Sequence, residues 1–132
     1  MNNYLLDTHI LLWSLLEPER LHRKVASVLE DRENTLWISP VTTWEIMILA
    51  EKGRIILNNE PQQWLEAVYG KIPFKQAVLN HTVAMQSRKI ALPHQDPADR
   101  FIAASAVIYE LILITADINL IKAADSYSVL AN

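Results

Sequence analysis

The sequence predicts a single α/β domain over residues 1–132, with a mainly parallel central sheet flanked by helices. Three observations predict it. Short apolar runs of strand length alternate with longer stretches of helical periodicity. The strongest runs, "NYLL" and "LILIT", are apolar at successive positions, as strands covered on both faces are. Only 2 glycines occur and no repeat or low-complexity tract, so nothing reads as a linker.

The elements follow in order. "NYLL" (3–6) is a strand, and after Asp7 the run "HILLWSLLEPE" is helical. "LHRKVASVLEDRE" (21–33) places Leu21, Val25, Val28 and Leu29 at amphipathic helical spacing, with Arg23 and Lys24 on a solvated face. "LWIS" (36–39) is the next strand. Ser39-Pro40 then opens a helix through "VTTWEIMILAEKG", which Gly53 ends. "PQQWLEAVYG" and "HTVAMQSRKIAL" are helices, and "FKQAVL" between them can be strand or loop. In "HQDPADRFIAASA" (94–106), Asp96 is a natural N-cap and Pro97 suits the first helical position, which leaves Asp99 in the first turn. "LILIT" (111–115) is a buried strand, "NLIKAAD" a short helix and "YSVL" a last strand.

Composition narrows the function classes. With 51% hydrophobic and 20% charged residues the chain is globular rather than disordered. The absence of cysteine excludes disulfides, thiolate metal sites and a cysteine nucleophile, and suits a reducing cytoplasm. "MNNYLLDTHILLW" lacks a basic leader, and Asp7 and His9 interrupt its apolar run, so neither a signal peptide nor a membrane span is expected. Twelve basic against 15 acidic residues give a net charge of −3, which disfavours nucleic acid unless carboxylates converge on bound cations.

The carboxylates decide that question. Asp7 follows "YLL", and Asp117 follows "LILIT" and Ala116, so two strands run into aspartates at the edge where open α/β sheets place their sites. Helix capping explains either one alone. Glu45 is harder to dismiss, because its helical neighbours are Val41, Thr42, Ile48 and Leu49. A capping box from Thr42 would explain it, but Ser39-Pro40 is the better helix start; a buried arginine partner stays open. Asp7, Glu45, Asp99 and Asp117 are thus four acids from four segments that a parallel sheet brings to one end. Such a group repels itself unless a hard divalent cation, Mg²⁺ or Mn²⁺, neutralises it. Cations so held activate water and stabilise in-line attack on a phosphodiester.

"YLLDTHILLW", "ISPVTTWEI", "DPADRFIAASA" and "LITADINL" resemble, in order and spacing, the successive blocks of the PIN-domain ribonucleases, and in particular the VapC-type toxins. The resemblance covers essentially the whole chain. It implies that Asp7, Glu45, Asp99 and Asp117 are the catalytic, metal-holding acids and that Asp96 is an extra aspartate of the subgroup. Thr8, Ser39, Thr42 and Thr115 fall where the family often has hydroxyls near the site. It further implies a Mg²⁺-dependent endoribonuclease with an RNA substrate, a cognate antitoxin and a homodimer; the helices at 21–33 or 61–70 of this sequence could supply the apolar patch for the last. One departure stands out: Leu49 occupies the position where related chains often carry lysine, with Lys52 and Arg54 following. His94 and Arg100 are each open between a role at RNA and an ordinary one. For Arg100 the ordinary role is a salt bridge. Trp13, Trp37, Trp44 and Trp64 offer stacking faces, but packing explains them equally well.

Three rivals remain. A phospho-aspartyl phosphatase needs a second aspartate that "DTH" lacks, and a receiver domain needs paired N-terminal acids and a late lysine where "LITADIN" has aspartate. A catalytically weak PIN scaffold that binds RNA or a partner without cutting is the third.

Overall fold

The structure is a computed structural model describing residues 2–93 and 95–132. His94 lies outside the described residues. Five strands, β1 (Asn3–Leu6), β2 (Thr35–Ile38), β3 (Lys75–Gln76), β4 (Ile112–Thr115) and β5 (Ser128–Ala131), form one sheet in the order β3-β2-β1-β4-β5. Every pairing is parallel. Among the described residues, seven α-helices accompany it: α1 (Thr8–Leu16), α2 (Arg23–Glu30), α3 (Pro40–Glu51), α4 (Pro61–Lys71), α5 (His81–Lys89), α6 (Pro97–Ile108) and α7 (Ile118–Lys122).

Strand alternation divides the core. Leu5 and Leu113, paired in register, face Ile102, Ala103 and Ala106 of α6. Their neighbours Leu6 and Ile114, also paired, face Ile10, Leu11 and Ile46 on the other side. Because β1 and β4 are covered on both faces, they read as unbroken apolar runs.

Local chemistry sets the boundaries. Ser39 Oγ accepts from the Val41 amide at 3.1 Å, and Pro40 takes the first position of α3. Gly53 ends that helix with φ +68°, a conformation that glycine adopts without strain. The run after Asp7 is shorter than its pattern: α1 stops at Leu16, since Pro18 disfavours helix at Glu17, and a 3₁₀ turn covers Pro18–Arg20. Likewise α2 begins at Arg23 and ends at Glu30, leaving Leu21 outside. "FKQAVL" resolves as the two-residue edge strand β3, and "HTVAMQSRKIAL" as α5 ending at Lys89. No helix among the described residues is long and apolar enough to cross a membrane.

Candidate active site

Four chain segments deliver acids to the carboxyl edge of the sheet. Asp7 leaves β1, Asp117 follows β4 by two residues, Glu45 projects from the second turn of α3 and Asp99 from the first turn of α6. All four line one cleft of about 370 Å³, together with Thr8, His9, Trp13, Asp96 and Ala116. Among the described residues, no lysine or arginine lines it.

Capping and clustering prove compatible. Asp7 Oδ1 caps α1 by accepting from the Thr8 amide at 2.8 Å, while its Oδ2 accepts from the Thr115 hydroxyl at 2.7 Å. Asp117 Oδ1 caps α7, accepting from Asn119 and Leu120 amides at 2.8 and 3.3 Å. Asp96 Oδ1 caps α6 through the Ala98 amide at 3.0 Å, with Pro97 at the first position. Asp99 sits one turn further in, within the same cleft.

Buried hydroxyls fix the acids. Thr8 Oγ1 donates to Glu45 Oε1 at 2.5 Å and lies 3.1 Å from Thr42 Oγ1. Its one proton serves the carboxylate, so Thr42 donates to Thr8. Neither the capping box nor an arginine partner explains Glu45; its hydrogen-bond partner is the Thr8 hydroxyl across the α1–α3 contact. Thr115 Oγ1 donates to Asp7 and accepts from the Asp117 amide at 3.0 Å, tying the two strand-end acids together.

Electrostatics sets Asp99 apart. Burial, then the charges of Asp7, Asp96, Asp117 and Glu45, push its carboxyl up to about 7. Burial also raises Asp7, against the hydrogen bonds from Thr115 and Thr8. Glu45 is raised mainly by burial, against the Thr8 hydroxyl. Burial, with Asp99 next, pushes Tyr127 up to about 12. As they stand, no three Asp, Glu or His groups among the described residues converge closely enough to hold one ion together. The donor set is nonetheless all hard oxygen, the kind that Mg²⁺ and Mn²⁺ take.

Two expected supporting residues lie elsewhere. Ser39 spends its hydroxyl on the α3 cap and lines a separate cleft of about 410 Å³ with Thr43, Tyr69 and Lys75. Arg100 is buried between α5 and α6, where Nε donates to the Ser87 carbonyl at 2.8 Å and Nη2 to that of Ile90 at 2.7 Å. That contact closes the end of α5 and keeps Arg100 off the cleft. Sequence reasoning passed over His9 as a lining residue, although "DTHILLW" spaces His9 and Trp13 four apart on the helix that Asp7 caps.

Comparison with known proteins gives the family. The PIN domain family matches residues 4–126. Ribonuclease VapC22 of Mycobacterium tuberculosis is 30% identical over 120 residues, covering 89% of this chain and 88% of the relative. The crystal structure of VapBC2 from Rickettsia felis bound to a DNA fragment from its promoter superposes with a TM-score of 0.72 at 16% identity, over 98% of both chains. A toxin–antitoxin complex from Klebsiella pneumoniae gives 0.60 at 21% identity, over 97% of this chain and 96% of that one. The chain therefore belongs to the PIN-domain family, in its VapC-type ribonuclease branch.

Proposed function

We propose that the chain is a Mg²⁺- or Mn²⁺-dependent endoribonuclease, the toxin of a type II toxin–antitoxin pair. The observation that carries this is the meeting of Asp7, Glu45, Asp99 and Asp117, all hard-oxygen donors from four chain segments, in one cleft. These four would hold the metal, which when bound supplies a nucleophilic water and neutralises the attacked phosphate. The chain's own residues do the rest. Thr115 orients Asp7, Thr8 orients Glu45, and the α6 cap formed by Asp96 sets where Asp99 enters. Single-stranded RNA incubated with the protein should be cut in Mg²⁺ or Mn²⁺ and spared with chelator. Cleavage that survives exhaustive chelation would remove the metal from the reading.

A cognate antitoxin partner is supported by the toxin–antitoxin complex among the structural neighbours. A gene for a short DNA-binding protein beside this one is the expected finding. Self-association is part of the same proposal. Among the described residues, α2 and α4 carry no large exposed apolar side chain, whereas Leu16 of α1, Trp44 of α3, Met85 of α5 and Ile118 of α7 are exposed. Light scattering at tens of micromolar should give a dimer, and a strict monomer would refute it.

A further inference from the structure

We infer that Trp13 and Arg20 form the seat for the nucleotide beside the scissile phosphate, an inference that rests on the ribonuclease reading above. A second cleft, of about 750 Å³, shares His9 and Trp13 with the acidic one, so the two run together across the same stretch of α1. Trp13 is half-buried, and the Arg20 guanidinium carbon stands 4.3 Å from its ring centroid. Glu17 steadies that guanidinium from 3.2 Å, and the His9 ring lies 5.9 Å from the indole, tilted by 54°. The arrangement is a planar cation laid on an indole at the mouth of the acidic cleft. Unpaired bases stack on such aromatic and guanidinium faces, whatever their sequence.

Charge points the same way. An RNA strand entering the acidic cleft brings phosphates that its carboxylates repel, and the adjoining cleft adds Arg20 and Arg54. Leu49, the departure noted from related chains, lines this second cleft, and Arg54 supplies a cation five residues on. The aliphatic walls of the cleft also fit a protein helix. The cation-on-indole stack, continuous with the acids, favours the nucleotide.

The test uses a 5′-fluorescein-labelled, mixed-sequence 12-nucleotide RNA and fluorescence anisotropy, in an Asp99→Asn background that leaves the strand uncut. Trp13→Ala should weaken binding about tenfold and Arg20→Ala about fivefold, with Trp13→Phe nearly unchanged. Moving one abasic residue along the RNA should find a position that weakens the parent but not Trp13→Ala, a result that loss of packing alone does not give. On the wild-type background, Trp13→Ala and Arg20→Ala should raise KM by similar factors and leave kcat within about threefold. Arg20 is exposed, so its variant reports even where Trp13→Ala fails to fold. Affinity and KM within twofold for both variants would overturn the seat, as would an abasic profile identical in parent and Trp13→Ala. Loss of a co-purifying protein with RNA binding intact would also overturn it and give the cleft to a protein partner. A wild-type protein that cuts no RNA would instead defeat the underlying reading, so the two failures are distinguishable.

Discussion

Asp99 and Arg100 are neighbours in the chain, yet the step of about 100° between adjacent helical residues sends them to different surroundings. Arg100 enters the α5–α6 contact, where carbonyl oxygens of Ser87 and Ile90 meet its charge with opposite partial charge. Asp99 enters a cleft whose other acids all raise its proton affinity. One region takes a charge from water and satisfies it within the fold; the other gathers like charges in one cleft. The first is how a fold holds itself together, and the second is how a fold stores the capacity to bind a cation.

Breaking the acidic region should have the largest effect on function. Asp99→Asn should lower RNA cleavage by about two orders of magnitude or more, since it removes a charge that the cation needs. Its thermal stability without metal should hold or rise, because a repelling carboxylate is gone. Both are read from cleavage rates and from melting with and without Mg²⁺.

Breaking the satisfied region should do the reverse. Arg100→Met removes a donor from the carbonyls of Ser87 and Ile90, the latter keeping the Leu92 amide at 3.2 Å, and should cost about 2–4 kcal/mol in urea unfolding, while the four acids keep their places. If Arg100→Met is as stable as wild type, the α5–α6 contact has been misjudged.

Acidity sharpens the contrast. Asp99 is raised from 3.8 to about 7, so the folded protein holds that proton more tightly than the unfolded chain does. Its contribution is present below the unfolded value and is lost as pH rises through the folded one. Without metal, melting temperature should fall from pH 5 to pH 8 by about 4 °C or more, and Asp99→Asn should flatten that slope. An equal slope in both proteins would assign the effect to another group.

Asp96→Asn should change least. Asparagine is as good an N-cap, so stability should stay within about 0.5 kcal/mol, with at most a moderate loss of cleavage. Abolished cleavage in this variant, with Asp99→Asn active, would reverse the roles assigned to the two aspartates.

Much of this contrast was legible before the fold was known. β1 and β4 announced themselves because both faces are covered, and Asp96-Pro97 and Ser39-Pro40 marked their helices through capping chemistry. What stayed hidden depends on contacts far apart in sequence. Nothing local shows that Thr115 holds Asp7 across 108 positions, or that Thr8 holds Glu45 across 37. Arg100 read as a phosphate contact or an ion pair because nothing local announces the backbone carbonyls of Ser87 and Ile90, which any sequence can offer. β3 was ambiguous because a two-residue edge strand has no period to read.

Calorimetric titration of Mn²⁺ into wild type, Asp99→Asn and Arg100→Lys tests the central claim most directly. The account predicts saturable binding to wild type, at least tenfold weaker binding to Asp99→Asn, and wild-type affinity in whatever fraction of Arg100→Lys is folded. Equal affinity in wild type and Asp99→Asn would contradict it.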